Sequence, residues 1–226
     1  MTSNINDMVD NHSFDVWAND YDEDVRLADE KNEYPFAGYN KIMHSIYTTV
    51  MKSNSAYVLD IGVGTGTLAA ALYERGHIIT GIDFSREMLA IAKPKMPNAT
   101  FLQCDFTNEL PPEIKAIKYD FIISTYALHH LPDVLKVTFI KSLLPYLSNY
   151  GTVLIGDIGF TTRVEYNECK SRNSDDWDDN EYYFVFSELT DALKNDCSIA
   201  YEQMSHCGGL LEIKALHGIK PWMESS

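Results

Sequence analysis

Asp60 leads a loop with glycines at 62, 64 and 66, in the run Val58-Leu59-Asp60-Ile61-Gly62-Val63-Gly64-Thr65-Gly66-Thr67-Leu68. The carboxylate can accept hydrogen bonds, and backbone without Cβ atoms permits a ligand's close approach and positive φ. Three chemistries use such a loop. A P-loop needs Gly, four residues and then Gly-Lys-Ser/Thr, and no lysine is present. A dinucleotide fingerprint needs GxGxxG, and counted from Gly62 its last position falls on Thr67. The third reading rests on the residues that follow the loop.

Further polar residues recur at the ends of apolar runs. Asp83 closes "TGID", about 20 residues beyond the first glycine. Asp105 follows "TFLQC", and "YDFIISTYALHHL" turns from apolar residues to Ser124 and Thr125, with His129 and His130 beyond. Together these landmarks resemble the class I S-adenosylmethionine (AdoMet)-dependent methyltransferases, with Asp60–Gly66 as their motif I. "LLPYLSNYGTVLIGDI" is similar to the family's next helix, turn and fifth strand, with Asn149-Tyr150-Gly151 in place of the commoner Pro-Gly-Gly. The preamble "FDVWANDYD", with "STYALHHL" and "EYYF", resembles more narrowly a small group of bacterial methyltransferases of the YrrT type, which brings no known acceptor.

The resemblance implies that Gly62, Asp83 and Asp105 meet the tail, ribose and adenine of AdoMet. It also implies a cofactor-binding set completed by Tyr21, Asp60, Gly64, Gly66, Phe84, Met88, Phe106, Ser124 and Thr125. Attack on the methyl of AdoMet is in line and releases neutral S-adenosylhomocysteine. Positioning and exclusion of water do most of the work, and no metal is expected.

A general base is needed only for an acceptor protonated at neutral pH. The catalytic residue is left unknown. His129 and His130 are candidates, against a packing or helix-entry role. Tyr21 is a candidate for cofactor or substrate contact, against a hydrophobic anchor; Trp17 and Tyr126 are weaker ones. Asp157 either meets substrate or caps a turn. No NPPY-type tetrapeptide follows the fourth strand, which disfavours base or glutamine N-methylation.

The elements that must position these residues alternate. "YVLDI", "HIITGID", "TFLQCDF", "YDFIISTYAL" and "TVLIGDI" read as strands, separated by helical patterns that include "TLAAALYERG", "SREMLAIAKPK" with Ser85 as N-cap, and "LPDVLKVTFIKSLLPYLSNYG". Such alternation predicts an α/β, doubly wound, mostly parallel sheet, and the resemblance implies seven strands. "YNKIMHSIYTTVM" predicts a helix before the first strand, and "SIAYEQMSHCGGLLEIKALHGI" an antiparallel C-terminal hairpin joined at Gly208-Gly209. Residues 160–195 read as helical but broken by "NSDDWDDNEYY". The expected organisation is one domain over 1–226: an N-terminal helical cap (1–56), a Rossmann-like AdoMet-binding core (57–158) and C-terminal helices with the hairpin (159–226). Both the acidic preamble, residues 14–34, and "DDWDDNE" read as either a solvated loop or a lid over the cofactor.

Composition narrows the partner. The 226 residues carry 33 acids against 18 bases, a net charge of −15, which repels phosphate backbones and anionic lipids. A small-molecule substrate is expected, with no nucleic acid and no membrane; oligomeric state is left open. No signal peptide or apolar spanning run is apparent, and four scattered cysteines argue against a disulfide framework or a cysteine-rich zinc site. A cytoplasmic location is therefore expected. The alternatives to a small-molecule methyltransferase are an RNA or protein methyltransferase and a non-catalytic AdoMet-binding protein.

Overall fold

The computed structural model describes residues 21–106, 108 and 110–216, without the side chains of residues 21–24 and 27. Phe14, Trp17 and the Tyr21 side chain lie outside the described residues.

The β-branched runs form five parallel neighbours: β1 (Tyr57–Ile61), β2 (Ile78–Asp83), β3 (Thr100–Gln103), β4 (Tyr119–Thr125) and β5 (Leu147–Phe160). Their spatial order is β3-β2-β1-β4-β5. Near the end of the chain, β7 (Cys197–Gln203) and β8 (Gly208–Ala215) extend the sheet, β8 antiparallel to β5 and β7 antiparallel to β8. A short β6 (Phe184–Val185) pairs with the end of β5, off that path. The seven-stranded path, mostly parallel with an antiparallel C-terminal hairpin, is the expected architecture.

Burial on both faces explains the apolar strands. Val58, Ile123 and Leu154 pack into one hydrophobic cluster, while their neighbours Leu59, Ile122, Val153 and Ile155 pack into another on the opposite side. Helix α1 (Tyr21–Lys31) precedes α2 (Tyr39–Val50), which buries Ile42, Ile46 and Val50 at four-residue spacing in the first cluster. Helix α3 (Thr67–Tyr73) follows the glycine loop, and α4 (Arg86–Ala92) starts at Ser85, whose side chain accepts the Met88 N–H at 3.1 Å, as a capping serine should. Among the described residues no helix is long and apolar enough to cross a membrane.

Three boundaries differ from expectation. Helix α6 (Asp133–Leu143), which follows the short α5 (Pro112–Lys115), stops well before Gly151. Pro145 has no N–H for helix continuation, so the chain tightens into a 3₁₀ turn at Leu144–Tyr146 and β5 begins at Leu147. Between α7 (Arg163–Arg172) and α8 (Phe186–Leu193), Phe184 and Val185 add the unexpected β6. The final hairpin turns at residues 204–207, not at Gly208-Gly209. Gly209 sits within β8 because a Cβ there would lie 2.2 Å from the Tyr201 hydroxyl oxygen; it serves side-chain packing across the hairpin, not the turn.

Candidate functional site

The chain winds from β1 outward to β2 and β3, then returns to place β4 on the other side of β1. Loops leaving the carboxyl ends of β1 and β4 therefore diverge, and a crevice opens between them where α/β sheets take ligands. A cleft of about 730 Å³, counted to its open mouth, occupies this place. Its walls come from the ends of β1 (Asp60, Gly62, Gly64), β2 (Asp83, Phe84) and β4 (Thr125, Tyr126), with α2 (Tyr39, Met43) above.

The glycine loop is held by the strand beside it. Gly62 and Val63 both donate their N–H to the Ile82 carbonyl at 2.9 Å. Gly62 has φ +70°, and a Cβ there would lie 2.5 Å from the Ala127 Cβ. Gly64 has φ +54° but faces open space, with nothing within 4 Å of where a Cβ would stand, so its bare backbone forms cleft wall. Asp83 secures the loop: its Oδ2 accepts the Gly64 N–H at 2.8 Å and its Oδ1 the Ser85 N–H at 2.9 Å.

Asp60 behaves differently. It lines the cleft yet is 2% exposed, and its Oδ1 meets no hydrogen-bond donor among the described residues. Burial, and then the neighbouring Asp83 carboxylate, push its pKa from 3.8 up to about 8. A buried carboxyl oxygen without a donor is costly, and a strongly shifted acid lining a cleft is a candidate binding residue.

The other expected residues divide. Phe84, Met88, Phe106, Thr125 and His130 line the cleft. Ser124 does not; its hydroxyl donates to the Ile61 carbonyl at 2.9 Å and ties the ends of β4 and β1 together. Gly66 is also outside the lining, at the start of α3, where a Cβ would lie 2.8 Å from the Met96 methyl. Asp105 is exposed and accepts the Asn108 side-chain amide at 2.9 Å, outside the cleft lining. Sequence reasoning missed Tyr39 and Met43 as cleft residues. Their helix was legible, but not which of its residues would hang over the crevice.

The two histidines, in a 3₁₀ turn at Leu128–His130, do not share one environment. Asp157, at the carboxyl side of β5, accepts the Leu128 and His129 N–H groups, each at 3.1 Å, and its Oδ1 lies 2.6 Å from His129 Nδ1. Asp157 thus caps this turn. Burial alone lowers the His129 pKa, but the Asp157 carboxylate overrides it and the net direction is upward. His130 goes the other way, down to about 2, through burial and then the charges of His129 and Lys136. Glu181 approaches both rings, an approach fixed by the Tyr182 N–H, which donates to the His129 carbonyl at 2.7 Å. The acidic segment before it is anchored through Trp177, stacked on Tyr34 with ring centroids 5.3 Å apart.

Comparison with known proteins agrees with this geometry. A doubly wound sheet with its cleft at the carboxyl ends of β1 and β4 defines a Rossmann-like fold, and solved methyltransferases share it. DhpI in complex with S-adenosylhomocysteine superposes with a TM-score of 0.65 at 18% identity, over 91% of this chain and 94% of that one. Magnesium protoporphyrin IX methyltransferase of Synechocystis gives 0.61 at 19% identity, over 80% and 84%. The methyltransferase-domain family matches residues 58–151. An uncharacterized methyltransferase of Oceanobacillus iheyensis is 32% identical over 90% of this chain and 96% of its own length, and one of Alkaliphilus oremlandii is 31% identical over 82% and 87%. The chain belongs to this methyltransferase family.

Proposed function

We propose that this chain transfers a methyl group from AdoMet to a small-molecule acceptor. When bound, AdoMet supplies a methyl on a positive sulfur, ready for in-line displacement. The observation that carries the reading is the pair of carboxyls in the cleft: Asp60 with an orphaned buried Oδ1, and Asp83 bracing the open backbone of Gly64. Asp60 faces a cationic group, and Asp83 holds the loop while offering lone pairs to ribose hydroxyls. Phe84, Met88 and Phe106 give an apolar slot for a purine, and the exposed Asp105, next to Phe106 in the chain but outside the cleft lining, is the acid proposed for its amino group. Tyr39, Met43 and Tyr126 exclude water beside Thr125 and His130, where the acceptor enters.

The net charge of −15 supports a small acceptor over RNA. The preamble and the "EYYF" segment support a place among the small bacterial methyltransferases of the YrrT type. The cap, core and C-terminal segment act as one domain, since α2 and the hairpin complete the same hydrophobic cluster as the core strands. Four buried, unbridged cysteines support a reducing, cytoplasmic setting. Calorimetry with AdoMet and S-adenosylhomocysteine tests the cofactor, with binding of both expected. No binding at millimolar concentration would remove the reading. A metabolite-extract screen with methyl-labelled AdoMet then identifies the acceptor, and salt-sensitive retention on an RNA column would redirect it to RNA.

A further inference from the structure

We propose that His129, His130 and Glu181 form a binding site for a divalent first-row transition ion, zinc in the first instance, at the edge of the cleft. Each of the three offers one ligand atom, and these atoms lie within 4.8 Å of one another. His129 Nε2 is 3.5 Å and His130 Nδ1 3.9 Å from the same Glu181 Oε1. Those separations are long for hydrogen bonds. They approach the spacing of about 3.3–3.5 Å between atoms bound to one tetrahedral zinc.

The surroundings hold the three in place. Asp157 takes His129 by Nδ1 at 2.6 Å, which leaves Nε2 for an ion; a metal-binding histidine commonly has its other nitrogen on a carboxylate. Tyr183 donates its hydroxyl to Glu181 Oε2 at 2.6 Å, which leaves Oε1 for the same ion. The Tyr183 hydroxyl is in turn hydrogen-bonded to that of Tyr34. No lysine or arginine pairs with Glu181 among the described residues; the buried Lys136 is engaged by Asp133 and the Tyr182 carbonyl. Two imidazoles and one carboxylate favour zinc or a neighbouring transition ion over magnesium or calcium, which take oxygen. A three-residue set also leaves a coordination position open.

His130 lines the cleft, so the cluster borders the side where the acceptor would enter. The ion's role there rests on the methyl-transfer reading. An acceptor hydroxyl or thiol coordinated to the ion gives up its proton to solvent more readily. Its oxygen or sulfur lone pair then forms the bond to the methyl carbon. The bond from that carbon to the donor sulfur breaks, and its electron pair stays on that sulfur. The ion is neither oxidised nor reduced.

Cobalt(II) titration of the full-length, chelator-stripped protein tests the site, with zinc competition and calorimetry of AdoMet on the same samples. One equivalent of cobalt is expected, with visible bands of a low-coordinate nitrogen/oxygen site that zinc abolishes. Glu181→Gln and His130→Gln should each weaken zinc by at least about tenfold, and Asp157→Asn by about 10–100-fold. Circular dichroism checks each fold, and Glu181→Gln decides if the buried Asp157→Asn does not fold. No stoichiometric cobalt at micromolar protein, or unchanged affinity in folded Glu181→Gln and His130→Gln, overturns the site. AdoMet binding should persist in chelator. Its absence from samples that bind metal would remove the methyl-transfer role and leave the site standing.

Discussion

The Oδ2 of Asp83 accepts the N–H of Gly64 at 2.8 Å, joining residues 19 apart in the chain. The end of β2 thereby fixes the shape of the loop after β1, and the same carboxylate faces the cleft. Asp83 thus both braces the loop and lines the cleft, and the proposed function gives it the ribose as well.

Asp83→Ala should therefore weaken both. Each hydrogen bond to a charged group contributes about 1.5–3 kcal/mol. Loss of the ribose acceptor should reduce AdoMet affinity at least tenfold, read by calorimetry. Loss of the Gly64 and Ser85 contacts should lower the urea midpoint. An unchanged dissociation constant would make Asp83 a loop brace alone.

Asp60 predicts a pH dependence with a definite sign. Its pKa is about 8 in the folded chain against 3.8 without burial. The folded state thus holds a proton that the unfolded state has lost, so the stability associated with this group is fully present below pH 3.8 and declines as pH rises to about 8. The decline is about 1.4 kcal/mol per pH unit for one group. Asp60→Asn should flatten that part of the profile, measured by urea unfolding across the range. A cationic ligand favours the ionised carboxylate, so AdoMet binding near neutral pH should release protons, and calorimetry in buffers of different ionisation enthalpy should count them. Release equal in wild type and Asp60→Asn would locate the effect elsewhere.

Gly62 and Gly64 should separate stability from binding. Alanine at Gly62 adds a 2.5 Å contact with Ala127 to a left-handed φ and should cost about 2–4 kcal/mol. Alanine at Gly64 meets no neighbour, so its stability cost should stay at about 1–2 kcal/mol for φ alone, while its methyl projects into the open cleft. AdoMet affinity should fall further than stability at Gly64. Equal unfolding midpoints for the two variants would contradict the packing at Gly62.

The preamble gives a fourth test. We expect S-adenosylhomocysteine to raise hydrogen-exchange protection over Tyr21–Lys31, because α1 leads directly into the residues joined to the acidic C-terminal segment by Tyr34 and Trp177. Equal protection with and without ligand would exclude closure of this helix on the cofactor.

Sequence alone determined the sheet, the glycine loop, the Asp83 position and the Ser85 cap. The strands, the loop and the cap depend on residues a few places apart, where alternation, φ demands and capping act within one element; Asp83 is placed by its spacing from Gly62 and its strand-end position. Gly208-Gly209 shows where that reasoning stops. The pair reads locally as a turn, but Tyr201 across the hairpin needs its space. Only tertiary structure decided which acids line the cleft, since Asp105 and Asp83 look alike at strand ends yet only Asp83 faces inward. It also decided that Asp157 caps the His129 turn and that Glu181 meets both histidines. Those partners come together because β4 and β5 are neighbours and the segment after α7 folds back over their ends. Side-chain period along a chain records which face is buried; it carries no record of which distant loop will cover it.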